Sequence, residues 1–309
     1  MGDIIDTLTG WPALWLLLRV SIIASLVVVV TLLAEKLGPF LGAMVASLPL
    51  YTGPTYVLLA LDHDVPYLVQ ATVGSIAICG ATPVFALAYC IMAVRFGTWG
   101  SLAGALAAWT GCALIVQSTQ WTVVEALLFV TPIYIASVAL ARGFTRGVAL
   151  KRAERKWTDL PLRAVMVAAC SGSVILISKH VPPQLTGVLS VFPIIMTSLA
   201  VILHPRIGGP ATSALFAHTL GGLVGMVLAF ILIYFTIERI GAAAALSAGL
   251  AVTIAWNLML IAMRSFTRPA AGRAPSKPAR PAPPQMHQPQ TGQQALPLPQ
   301  KPRRRSTAR

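Results

Sequence analysis

Two proline segments hold the residue types in this chain best suited to binding a polar solute or a cation. Ser47, Pro49, Thr52, Gly53 and Pro54 make up the first, and Ser190, Pro193, Thr197 and Ser198 the second. A proline inside a helix lacks an amide proton, and its ring obstructs the bond to the carbonyl four residues earlier, here Val45 and Leu189. Within a bilayer, carbonyls freed in this way have no water to turn to. With hydroxyls beside them they could coordinate a cation or hydrogen-bond a solute near the midplane. The plainer alternative is a pair of kinked helices whose hydroxyls bond back to their own backbone.

Four further side chains lie in apolar stretches and suit charge or proton relay. Arg19 sits about six residues, or roughly 9 Å, into the first stretch. It either snorkels to the headgroups or acts as counter-charge to Glu125 or to an anionic substrate, and Arg163 faces the same choice nearer its interface. Glu125 stands about one turn into the fifth stretch beside Trp121. It is expected at the interface, although a carboxyl buried there could exchange protons. His218, near the middle of the eighth stretch, either packs in the core or relays protons. Asn257 follows Trp256 and reads as an interhelical hydrogen-bond donor.

The chemistry that is missing narrows the function. No GxxxxGK[ST] phosphate loop, HExxH, GxSxG, CxxC pair or Rossmann glycine pattern occurs. Cys79, Cys90, Cys112 and Cys170 lie in apolar stretches without metal-ligand spacing and read as inert buried thiols. The expectation is a protein with no catalytic residues, metal or cofactor. ATP-driven transport by this chain alone is excluded on the same ground.

These residues must be positioned by membrane helices. Hydrophobic residues make up 56% of the chain, charged residues only 10%, and the mean hydropathy is +0.77. Soluble domains do not reach such values. Nine apolar stretches fall near 13–34, 41–61, 68–94, 99–117, 121–141, 161–178, 184–203, 209–236 and 241–263. Most can cross a hydrocarbon layer of ~30 Å, which takes roughly 20 residues. The first is preceded by Asp3 and Asp6 rather than basic residues and reads as a retained helix, not a cleavable signal.

The net charge of +14 is largely a property of the end of the chain. Ten Lys and Arg and no acid follow from Arg264 onward, leaving thirteen basic against nine acidic residues before it, a net +4. This proline-rich segment lacks the apolar surface needed to fold and suits anionic lipid headgroups better than nucleic acid. Basic residues also cluster between the fifth and sixth stretches, at Arg142, Arg146, Lys151, Arg152, Arg155 and Lys156. By the positive-inside rule that loop and the tail lie on the cytoplasmic side and the N-terminus on the opposite side.

The two proline segments are also copies. PFLGAMVASLPLYTGPTY, residues 39–56, recurs in pattern 144 residues later as PQLTGVLSVFPIIMTSLA, residues 183–200. At the same offset Leu18-Arg19 matches Leu162-Arg163, and Pro66 matches Pro210. Stripes of small residues such as Gly100, Gly104, Ala108 and Cys112 recur as Gly241, Ala245, Gly249 and Thr253, and let helices approach closely. The expected fold is all-α: a polytopic membrane protein of about nine transmembrane helices, in two inverted four-helix repeats joined by a spacer helix. The expected organisation is an N-terminus 1–12, first repeat 13–117, spacer helix and basic loop 118–160, second repeat 161–263 and disordered tail 264–309.

The stretches SKHVPPQLTGVLSVFPIIMTS and AEKLGPFLGAMVASLPLYTGP each set a lysine-containing polar break before a proline helix. In this they resemble the small four-helix bacterial inner-membrane proteins of the GlpM type and related families, whose proline helix reads AGLIPLFPT. The resemblance implies an inner-membrane protein linked to envelope polysaccharide production, and brings no binding or catalytic residues with it. Two functions follow as expectations. One is passive or gradient-coupled transport of a small solute, ion or lipid at the proline-broken helices; the other is a non-transporting accessory role in envelope biogenesis. The expected partners are the bilayer, anionic headgroups, a small solute and a second copy of the chain.

Overall fold

The computed structural model describes residues 49–146, 148 and 156–267, together with nine helical positions between 14 and 29. The helices are α1 (Thr52–Asp62), α2 (Val65–Ile78), α3 (Ala81–Met92), α4 (Thr98–Gln117), α5 (Val123–Ala141), α6 (Asp159–Ser178), α7 (Pro183–Ser190), α8 (Ile194–Ile207), α9 (Gly209–Ile240) and α10 (Ala242–Thr267). A 3-10 turn, Arg142–Thr145, extends α5, and the described residues contain no strand.

Seven helical segments are long and apolar enough to cross a membrane: 65–92, 98–117, 123–145, 159–178, 183–207, 209–240 and 242–263. They match seven of the nine expected stretches within a few residues. The expected stretch 13–34 and the first part of 41–61 fall largely outside the described residues. The described part of the latter is α1, whose 11 residues span only about 16 Å. Of the basic loop, Lys151, Arg152 and Arg155 lie outside the described residues, as does the tail from 268 onward. Helix α10 continues to Thr267, slightly past the expected boundary at 263.

Local chemistry sets where the helices start and bend. Asp64 caps α2 by accepting the Tyr67 amide at 3.1 Å, with Pro66 in the first turn. Thr122 and Glu125 form a capping box at the start of α5. The 65–92 span bends at Cys79-Gly80, where Pro83 cannot bond the carbonyl of Cys79. Gly208 and Gly241 adopt φ of +82° and +79°, which L side chains avoid, so α9 can start and end abruptly.

Two pairs of helix starts repeat at one interval. Helices α2 and α9 begin at 65 and 209, and α4 and α10 at 98 and 242, both 144 residues apart. Burial separates the spans into two classes. In 65–92, 183–207 and 209–240, 72%, 72% and 56% of the most apolar stretch is buried. The other four reach 28% at most, so they surround these three and turn apolar side chains outward.

The central crossing of α2 with α7 is made by backbone. A Cβ on Gly187 would lie 1.8 Å from the Ala71 carbonyl oxygen, and one on Gly74 would lie 2.1 Å from that of Gln184. Neither carbonyl can yield without moving its helix, so only glycine fits at both positions. Gly187→Ala is therefore expected to destabilise the protein by at least about 1–3 kcal/mol. Gly111→Ala on the outer helix α4, where a Cβ meets nothing within 4 Å, should fall within about 0.5 kcal/mol of the parent. Thermal unfolding of both variants in detergent checks the contrast.

Candidate functional site

The break between α7 and α8 forms the polar centre of the bundle. After the eight residues of α7 the chain passes through Val191, Phe192 and Pro193 before α8 begins at Ile194. Val191 and Phe192 still donate to the carbonyls of Val188 and Leu189 at 3.3 and 3.2 Å, tightening the end of α7. The Phe192 ring meets Trp109 of α4 edge-on, with centroids 5.0 Å apart.

The first proline segment supplies the missing partners. Tyr51 donates its phenol to the Leu189 carbonyl at 3.3 Å, and Thr52 donates its hydroxyl to the Ser190 carbonyl at 2.9 Å. Leu189 is the carbonyl that Pro193 was expected to leave free. It is instead occupied, by the Phe192 amide of its own segment at 3.2 Å and by the Tyr51 phenol, a correction to the expectation of open carbonyls. The start of α1 and the end of α7 therefore meet directly.

Around this junction a connected set of hydroxyls is buried. Ser75 of α2 donates to the Gly187 carbonyl at 2.9 Å, lies 3.3 Å from the Ser190 hydroxyl and accepts or donates at 2.6 Å with the Tyr56 phenol. Ser190 itself donates to Gly187 at 2.8 Å. Thr55 bonds the Tyr51 carbonyl at 2.8 Å and meets the Ser171 hydroxyl of α6 at 3.3 Å. These groups come from α1, α2, α6 and α7, so the junction ties four helices together.

The remaining expected site residues divide as follows. Thr197 and Ser198 bond back to Pro193 and Ile195 at 2.9 and 2.8 Å, which is the plainer of the two readings. Pro49 precedes α1 and accepts the Gly53 amide at 2.8 Å, while Ser47 lies outside the described residues. Glu125 is exposed, and its carboxylate accepts from the amide and hydroxyl of Thr122, both at 2.9 Å. Asn257 is buried and donates to the Thr253 carbonyl at 3.0 Å. His218 lines a cavity of about 260 Å³ with Arg142, Thr145 and Gly221, away from the junction.

Arg19 pairs with Asp62 at the end of α1, at 2.7 Å. At the far end of the second half, Arg206 grips the Asp159 carboxylate with two guanidinium nitrogens, and Arg163 follows Asp159 by one turn. The offset of 144 maps Arg19 onto Arg163 and Asp62 onto Arg206.

A second polar cluster closes one end of the α2–α7 crossing. Tyr67 donates to the Ser178 carbonyl at 2.9 Å and meets the Thr186 hydroxyl at 2.6 Å. His63, in the connection between α1 and α2, stacks on Tyr67 at 3.8 Å and bonds the Ser178 hydroxyl at 2.9 Å. Partial burial holds His63 below the usual histidine range, against the opposing pull of Asp62. At another place in the core the Tyr89 phenol meets His204 Nδ1 at 2.6 Å.

The tyrosines and Ser75 were not singled out by reading the sequence. Tyr51 and Tyr56 were within reach of it, since a phenol buried in an apolar segment needs a partner. Compared with known proteins, the chain matches no family model, no curated protein and no solved structure.

Two outcomes follow from these contacts. Ser75→Ala removes a donor from a buried network and should cost about 1–2 kcal/mol in detergent melting experiments. His63 carries a lowered pKa in the fold, so the unfolded chain takes up its proton first. Its contribution to stability is therefore complete above pH ~6.5 and lost as pH falls through the lowered value. Melting of the parent between pH 8 and pH 5 should show a decline that is smaller in His63→Gln, and identical profiles would refute the assignment.

Proposed function

We propose that this integral membrane protein is a passive or gradient-coupled transporter of a small polar solute or ion, with its site at the α1–α7 junction. The observation that carries the reading is the capping of the broken α7 backbone by Tyr51 and Thr52 from the other half of the chain. Irregular backbone at membrane depth is tolerated where protein or a polar cavity satisfies it, and transporters place their sites at such breaks. Tyr51 and Thr52 hold the carbonyls closed, and a solute or cation exchanges for them when the halves separate.

The two halves form an inverted repeat on this reading. Counterpart segments 65–92 and 209–240 stand five spans apart, as do 98–117 and 242–263. Five is odd, so counterparts cross the bilayer in opposite directions. Their common offset of 144 and the two end ion pairs support the same plan. The protein sits in the bacterial inner membrane, with the basic loop and tail in the cytoplasm on anionic headgroups.

A second reading has its own support. The described hydroxyls at the junction bond to backbone and to each other, as expected of a rigid accessory protein in envelope biogenesis. Proteoliposome assays separate the two. Swelling in glycerol and in sugars, and dye-reported flux of Na⁺, K⁺ and H⁺, should reveal a permeant for the intact protein. Flux should change at least tenfold in Thr52→Ala and Ser190→Ala while the Gly111→Ala variant transports normally. Absence of flux for every probe, together with a stable co-purifying envelope protein, would favour the accessory role.

A further inference from the structure

The cavity beside His218 lies where α5 runs into its 3-10 turn, about three turns into α9 and near the C-terminal part of α10. Val138 and Leu260 form apolar walls, Gly221 the floor, and Arg142, Thr145 and His218 a polar side. None of the lining residues is acidic. Helical spacing explains the convergence: Arg142 and Thr145 continue the face of α5 that carries Val138, and Gly221 lies one turn beyond His218 on α9.

The surroundings hold this space open. Thr145 donates back to the Arg142 carbonyl at 3.0 Å, fixing the 3-10 turn beside the groove. Trp256 donates its indole N–H to the Gly221 carbonyl at 2.8 Å and pins α10 against α9. A Cβ on Gly221 would meet only Leu260 Cδ1, at 3.7 Å, so the absent side chain is room rather than close packing.

We infer that this cavity binds the phosphodiester headgroup of an anionic phospholipid. Arg142 supplies a forked donor set matched to phosphate oxygens, and His218 lines the same cavity. The apolar walls suit an amphiphile better than a wholly polar anion. At about 260 Å³ the space is smaller than the ~300–1,000 Å³ of pockets that enclose whole ligands. It takes a headgroup and the first methylenes, and the chains lie along outward-facing residues such as Ile135 of α5 and Leu258 of α10, which are 67% and 59% exposed. The site does not depend on transport at the α1–α7 junction.

The test uses the full chain in dodecyl maltoside, titrated separately with phosphatidylglycerol, phosphatidylcholine and glycerol 3-phosphate. Native mass spectrometry counts bound lipid, and melting temperature reports protection. Phosphatidylglycerol should bind in preference to phosphatidylcholine, and Arg142→Gln should weaken it about five- to tenfold. Gly221→Leu fills the cavity without altering charge and should abolish the same binding, while the neighbouring exposed Arg146→Gln should not. Both comparisons leave the basic tail intact, so its own lipid binding is a constant background. Should Gly221→Leu fail to give a monodisperse protein, the exposed Arg142→Gln decides alone. Retention of phosphatidylglycerol by Arg142→Gln, or an equal loss in Arg146→Gln, overturns the site. Protection by glycerol 3-phosphate equal to that by phosphatidylglycerol would make the ligand a soluble phosphate ester and overturn the lipid assignment.

Discussion

The structure depends on how an interrupted helix keeps its backbone satisfied away from water. Between α7 and α8 the chain gives up regular helical bonding at a buried position, and a bilayer offers the exposed carbonyls nothing in exchange. The amides of Val191 and Phe192 tighten the end of α7, Tyr51 adds a second donor to the Leu189 carbonyl, and Thr52 supplies the donor for Ser190. An unpaired carbonyl there would cost several kcal/mol, enough to matter against the stability of the whole fold.

That requirement governs the packing around it. For Thr52 and Ser75 to reach the end of α7, α2 must lie against α7 at backbone distance, and Gly74 and Gly187 allow it. The close approach also brings the hydroxyls of Tyr56, Ser75 and Ser190 within bonding distance of one another. Outside this centre the helices bury little and rely on the surrounding lipid, which explains why the outer spans carry apolar residues on nearly every face.

The charged residues are used at the ends. Arg19–Asp62 joins a position of the first helix to the end of α1, and Asp159–Arg206 joins the start of α6 to the end of α8. The Asp159–Arg206 tie fixes α6 against α8, which follows the break after α7. The cavity at Arg142 and His218 stands apart from both, between the central helix α9 and the outer helices α5 and α10.

Composition and apolar length were enough to establish a helical membrane protein, because a bilayer admits few other ways to satisfy a backbone. Seven of the expected spans are present, and α2 and α9, like α4 and α10, start 144 residues apart. Proline and capping residues act locally, so their effects can be read without a fold. The partners of polar groups could not be read in this way. Nothing in the spacing of Arg19 points to Asp62 rather than Glu125, and nothing around Leu189 announces the phenol of Tyr51. Those pairings join residues 43 and 138 positions apart. Only the crossing of helices decides them, since hydrogen bonds are chosen by distance in space and not along the chain.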